Sequence, residues 1–487
     1  MVKHNKQLNV LFVASELTPI AKVGGLGDVI GSLPKALAKL GLEIKIVTGK
    51  YGIIDEDEYN VKRLFDLKVP WGSSDEVVTV YSTLLPQSNL VVYLIDHSLI
   101  NSGGVYDSPT AFVSTEHEFK KFLLISRAAL ELIKSNEWEP DVIHLHDWHT
   151  SMIPVWLKTL YKNEPTLNIP TLLTIHNLVN QGIVSEEILG FAGLRPEDLS
   201  SLRSDAQDGD INFFRQGIEN ATLLNTVSPT YAKEILTPEF GEGLDEILCR
   251  RRQDLSGILN GIDVERFNPE TDPDIYHNYS EETFLEKYKN KLALQKELGL
   301  SIGSDKKIPL IGIVSRLTNQ KGGELVNEII ERLVELNCQL VVLGLGDPIH
   351  EEYYKKAAQK HPKNISANIK FDVTLAQKIY AASDMFLMPS QFEPCGLGQM
   401  IAMRYGSVPI VRKIGGLADT VRDEMTGFVF EKYSSAALYD AIKRAINSFN
   451  NRHEDFMLIA KNGMKQDFSW NKSAKEYKKI YQKLARR

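Results

Sequence analysis

Asp384-Met385-Phe386-Leu387-Met388-Pro389-Ser390-Gln391-Phe392-Glu393-Pro394-Cys395-Gly396-Leu397-Gly398-Gln399 is a short apolar run that passes into a loop bearing proline and glycine. Its first five residues have the composition of a buried strand. Met400-Ile401-Ala402-Met403-Arg404-Tyr405, stopped by Gly406, reads as a helix. Residues 389–399 are therefore predicted to join a strand to a helix, and in open parallel sheets such loops line the ligand crevice. Pro394 suits a helix start, where its missing N–H is not needed. The amides of Cys395, Gly396 and Leu397 are then expected to face ligand oxygens. Glu393 has two readings, a helix N-cap carboxylate or an acid of the site.

The same alternation extends on both sides. Residues 310–315 read as a strand followed by a loop and a helix over 324–336, residues 339–343 as a strand ending in Gly344-Leu345-Gly346-Asp347, and 407–411 leads to Gly415-Gly416-Leu417-Ala418-Asp419-Thr420 at another helix start. Ile369-Lys370-Phe371 is predicted as a short strand. Strands alternating with helices imply a doubly wound parallel sheet. Arg316 and Lys321 frame the loop after the strand at 310–315. They are either surface ion-pair residues or cations for a diphosphate. A cation about 4 Å from a developing negative charge is worth roughly 4 kcal/mol at an effective dielectric near 20.

A second sheet is read from the first half. A strand at 8–14 runs into the loop 15–28, which holds Lys22, Gly24, Gly25 and Asp28, and a helix is expected over 29–40. A strand, a glycine-bearing loop and a helix in that order can present backbone amides to a diphosphate. The spacing fits neither a P-loop nor a dinucleotide fingerprint, and close backbone packing is the other use for these glycines. Residues 61–95 alternate as antiparallel strands inserted at the sheet. The strand at 141–149 ends in His144, His146, Asp147, Trp148 and His149, and that at 171–177 ends in His176 and Asn177. The histidine spacing is not that of a helical metal site, so sugar contact is preferred there. His176 reads as a crevice residue or a core histidine.

At 487 residues the chain is too long for one ordinary core. A net charge of −7 gives no footprint for a nucleic-acid partner. No apolar run is long enough to span a bilayer. Cys249, Cys338 and Cys395 are odd in number and far apart, which suits neither disulfides nor a metal and fits a reduced cytosolic compartment. The domains are predicted at 1–265 and 306–470, with a linker region at 266–305 and a final helix at 471–487.

Lys22-Val23-Gly24-Gly25-Leu26-Gly27-Asp28-Val29, His146-Asp147-Trp148-His149, Thr226-Val227-Ser228-Pro229, Asn260-Gly261-Ile262-Asp263, Ser315-Arg316-Leu317-Thr318, Gln320-Lys321-Gly322, Phe392-Glu393-Pro394-Cys395-Gly396-Leu397 and the Gly415–Thr420 segment closely resemble, in this order, the bacterial glycogen and plant starch synthases. The resemblance implies an α/β GT-B fold, two Rossmann-like doubly wound parallel-sheet domains facing a central cleft, with the last helix crossing back to the first domain. It implies a retaining transfer of glucose from ADP-glucose to the non-reducing 4-hydroxyl of an α-1,4-glucan, without metal or other cofactor, in the cytoplasm or, after transit-peptide removal, the plastid stroma. Lys22, Arg316 and Lys321 would hold the diphosphate, and Glu393 with the Cys395, Gly396 and Leu397 amides the glucosyl unit. His176 would lie by the reacting sugar and Asp147 at the donor–acceptor junction. Gly24, Gly25, Asp28, Asn177 and Gly398 complete the nucleotide-sugar set. The chain departs from the family pattern at Asn180, Gln391, residues 116–122 and Gly322-Gly323-Glu324, and of these Asn180 and residues 116–122 bear on acceptor binding and turnover. Competing expectations are a same-fold enzyme using UDP-glucose or another acceptor, and a catalytically weak glucan-binding regulatory relative. Oligomeric state stays open.

Overall fold

The computed structural model describes residues 7–107, 114–135, 138–302 and 308–486. The chain divides into two compact units, one running to Gly261 and taking in the segment from Trp470, the other spanning Ile262–Ser469.

The first unit is built on β1 (Asn9–Val13), β2 (Glu43–Gly49), β3 (Lys62–Trp71), β4 (Ser74–Leu84), β5 (Val91–Asp96), β6 (Val142–His146), β7 (Thr171–Ile175), the small antiparallel pair β8 (Ile183–Ser185) and β9 (Asp210–Asn212), β10 (Leu223–Thr226) and β11 (Leu255–Gly257). The nine-stranded sheet has the order β11-β10-β7-β6-β1-β2-β5-β4-β3. Every pair from β11 to β5 is parallel, and β4 and β3 add an antiparallel edge. The parallel strands β6 and β7 are buried along their whole length, as helices on both faces require, whereas the outermost strand β3 is largely exposed. Chain order reverses direction between β1 and β6. The register Val13↔Leu145 and His146↔Thr174 brings the loops after β1, β6 and β7 out at one edge. Open sheets of this kind bind ligands at that switch point.

The final helix, Trp470–Leu484, is part of this unit because its inner face is core: Ala474, Tyr477, Tyr481 and Leu484 are fully buried. Its two tyrosines end in a buried polar chain. Tyr481 O–H meets His144 Nδ1 at 2.8 Å, His144 Nε2 meets Thr174 Oγ1 at 2.6 Å, Thr174 donates to Asn225 Oδ1, and Asn225 Nδ2 donates to Tyr477. Thr174 has only one proton to give, so His144 donates from Nε2 and accepts at Nδ1.

The second unit holds β12 (Leu310–Val314), β13 (Gln339–Leu343), β14 (Ile365–Asn368), β15 (Met385–Met388), β16 (Val408–Arg412) and β17 (Phe428–Phe430) in one parallel sheet of order β14-β13-β12-β15-β16-β17. This is the doubly wound order, with its switch point between β12 and β15. Arg316 and Lys321 follow β12, and Glu393 follows β15.

Three expectations need correction here. The edge strand is Ile365–Asn368; residues 369–371 lie beyond it, and Phe371 is exposed. The helix after residue 389 starts at Gly398, with Leu397 as its cap, so Pro394 is not its first residue. Residues 266–305 do not stand apart as a linker. Leu294 and Leu300 belong to a core cluster with Leu310, Val341, Leu343 and Ile379. Asp272 accepts from Tyr405 and Gln377, Lys287 donates to the Ala381 carbonyl, and Lys291 pairs with Asp384 at 2.6 Å. A polar, proline-bearing composition concealed these buried polar contacts. Sequence reading also passed over the helix Pro348–Lys360.

Candidate active site

In the second unit the loops after β12 and β15 are joined through their backbones, Gln391 N–H donating to the Gln320 carbonyl at 2.9 Å. This brings Lys321 Nζ to 2.6 Å from Glu393 Oε2, the same oxygen that accepts from Ser390 Oγ at 3.0 Å. Glu393 is buried and Lys321 is mostly buried. Leu397 caps the following helix without any side-chain bond, so Glu393 is not its N-cap. Its carboxylate is held instead by a cation and a hydroxyl, each making a charge-assisted bond. Arg316, on the same loop as Lys321, donates from Nη2 to Gln320 Oε1 at 3.2 Å.

Gln399 orients the rest of the loop. Its Nε2 donates to the carbonyls of Cys395 and Gly396 at 3.1 and 2.9 Å and lies 3.2 Å from Thr420 Oγ1. In a trans peptide the C=O and the following N–H point in opposite directions. Two carbonyls fixed inward by Gln399 therefore turn the Gly396 and Leu397 N–H groups away from it. Gly396 has φ +70° and Leu397 is right-handed, a succession that aims consecutive N–H groups into one anion-binding concavity. The Cys395 carbonyl also lies against Gly416. A Cβ on Gly415 (φ +45°) would stand 1.9 Å from the Glu393 carbonyl, so only glycine admits this approach.

In the first unit Asp147 stands at φ +55°, directly after β6. Its Oδ1 accepts the His176 N–H at 2.7 Å and its own N–H donates to the Thr174 carbonyl, which ties the ends of β6 and β7 together. Burial pushes the Asp147 carboxyl up to about 8, against the N–H groups of His176 and Asn177 that favour its charge. His176 Nε2 lies 3.0 Å from His146 Nδ1. Burial drives both imidazoles down, His176 to about 3 and His146 well below its ordinary value. Both rings are therefore neutral and share this contact as one donor and one acceptor. His144 is removed from the candidate site by its bonds to Tyr481 and Thr174, and Trp148 is a core residue, 1% exposed and packed on Phe119, Phe122 and His149.

The loop after β1 differs most from expectation. The helix starts at Gly25, so Asp28 lies in its first turn, and Lys22 Nζ pairs with Asp28 Oδ1 at 2.8 Å. The Gly24 amide donates at 2.5 Å to Glu16, a residue that sequence reasoning passed over, and those of Val23 and Gly27 reach the same carboxylate oxygen at 3.0 and 3.3 Å. Ser390 and Gln399 were also missed. Short polar side chains beside a glycine loop carry no periodic signal, and their role follows only from where the loop folds. Among the described residues no group of three or more histidine, cysteine, aspartate or glutamate side chains is placed to hold a metal ion.

Residues 9–250 match the family model described as the starch synthase catalytic domain, and residues 296–463 match glycosyl transferases group 1. The chain is 45% identical over 485 residues to the glycogen synthase of Thermosipho melanesiensis, covering 98% of this chain and 99% of the relative. It is 43% identical over 489 residues to that of Thermotoga maritima, with the same coverage. The catalytic domain of Arabidopsis thaliana starch synthase IV, solved with ADP and acarbose, superposes with a TM-score of 0.90 at 34% identity, covering 99% of this chain and 100% of that one. Near-full-length identity of this order, on two doubly wound sheets with the family's motifs at their switch points, places the chain in the glycogen and starch synthase family of GT-B glucosyltransferases.

Proposed function

We propose that the protein transfers glucose from ADP-glucose to the non-reducing 4-hydroxyl of an α-1,4-glucan, with retention of configuration. The observation that carries this reading is the second unit's switch point, where the Lys321–Glu393 pair stands beside outward-turned amides. Lys321 and Arg316 offset the charge that develops on the leaving diphosphate, with Lys22 as a further cation. Glu393 and the Gly396 and Leu397 amides position the glucosyl unit. Asp147, His176 and Asn177 serve the sugar side. The transition state is oxocarbenium-like. An ion-paired Glu393 is a weak nucleophile, so attack from the leaving-group face is favoured. The C1–O bond to phosphate breaks, the bond from C1 to the acceptor O4 forms on the same face, and the O4 proton passes to the departing phosphate oxygen.

The test is incubation with glycogen and labelled ADP-glucose or UDP-glucose. Label from ADP-glucose should enter polymer. Preference for UDP-glucose would reassign the donor, and glucan binding without incorporation from either donor would overturn the enzymatic reading.

A further inference from the structure

Glu16 is 4% exposed and sits three residues after β1. Its Oε2 accepts the Val23, Gly24 and Gly27 amides, while its Oε1 accepts Tyr106 O–H at 2.9 Å. A Cβ on Gly27 would stand 3.1 Å from that Oε2, so the carboxylate is packed tightly against the first turn of the Gly25–Lys39 helix. The chain's own carboxylate thus fills the place where a helix N-terminus would otherwise take an external anion. Tyr106 continues the link. Its neighbour Asp107 pairs with Lys121 at 3.1 Å and His117 at 2.8 Å, and its N–H donates to Glu118. Lys121, His117 and Glu118 lie in the first turns of the Glu116–Ser135 helix.

We infer that Glu16 is a positioning residue: it holds the Lys22 loop in its working shape and braces it, through Tyr106, against the start of the Glu116–Ser135 helix. This rests on the proposal that Lys22 meets the donor's phosphates. Burial raises the Glu16 carboxyl above its ordinary value, opposed by its four donors, so the carboxylate depends on all of them. The Gly24 and Gly27 amides are not diphosphate ligands, because Glu16 already occupies them.

The experiment compares Glu16→Ala, Glu16→Gln and Tyr106→Phe in the full chain. Glu16→Ala should raise KM for ADP-glucose by about tenfold or more with a smaller change in kcat, since several charge-assisted bonds are lost. Added formate should re-enter the space, lowering KM and raising Tm in that variant but not in the parent. Glu16→Gln keeps an acceptor for the amides and can donate to Tyr106, whose O–H can turn to Ser15 Oγ 3.3 Å away; it should stay within about threefold of the parent. Tyr106→Phe should fall between. A parental KM in Glu16→Ala or Tyr106→Phe, or Glu16→Gln as impaired as Glu16→Ala, overturns the inference. Should Glu16→Ala fail to fold, the other two variants decide. The formate-dependent Tm is read without turnover, so it reports on Glu16 even if the parent transfers no glucose.

Discussion

The loop after β1 and the loop after β15 each follow a strand that borders the switch point of its own sheet, and each sets a glutamate beside glycines. They use it in opposite ways. In the first, Glu16 turns inward and takes three amides of the following loop and helix, so the anion site is closed by the protein itself. In the second, Glu393 caps nothing and bonds instead to Lys321 and Ser390, while Gln399 turns the neighbouring amides outward. A buried carboxylate is drawn to whichever donors are close enough to offset its desolvation. The amides of residues 23–27 are within reach of Glu16, whereas a lysine from the adjacent β12 loop reaches Glu393 first. One loop is a braced support, the other an open cradle.

The sharpest way to break this contrast is Glu393→Ala. It should lower kcat by about a hundredfold or more, the scale of removing one preorganised transition-state contact, while Tm moves only slightly. Equal loss of turnover and stability would make Glu393 a structural residue like Glu16. Lys321→Ala should lower kcat/KM for ADP-glucose by a somewhat smaller factor, about tenfold to a hundredfold, measured in the same assay. Gln399→Leu, which frees the Cys395 and Gly396 carbonyls, should raise KM for ADP-glucose several-fold, on the order of one lost hydrogen bond. An unchanged KM would show that the loop holds its amides outward without Gln399.

The smallest effect lies in stability against pH. Asp147 has a folded pKa raised to about 8, above its unfolded value, so the native state binds the extra proton. Its contribution therefore declines as pH rises from about 4 toward 8. Asp147→Asn keeps an acceptor for the His176 N–H and removes this decline. Denaturant midpoints of the two proteins should converge or cross in the variant's favour as pH rises, and a constant difference would exclude the buried acid as the cause.

Much of the fold was legible because several central strands are short, mainly apolar runs. β1, β12 and β13 are buried along nearly their whole length, as a parallel sheet covered on both faces requires. The short edge strand Ile-Ser-Ala-Asn was not legible, since its pairing with β13 rather than its composition makes it a strand. Residues 266–305 read as a linker for the reverse reason: their polar side chains are buried by partners more than 90 residues away.

The sequence by itself determined the alternation of strand and helix, the two-sheet architecture and the motifs whose order marks the family, because periodicity and short spacing are local properties. Tertiary structure alone decided which carboxylate closes a helix end and which stays with a lysine. It also decided that His144 serves the final helix, and that Ser390 and Gln399 shape the Glu393 loop. Hydrogen bonds form between whatever groups the register brings to within about 3 Å, and register is set by the whole sheet rather than by the residues on either side.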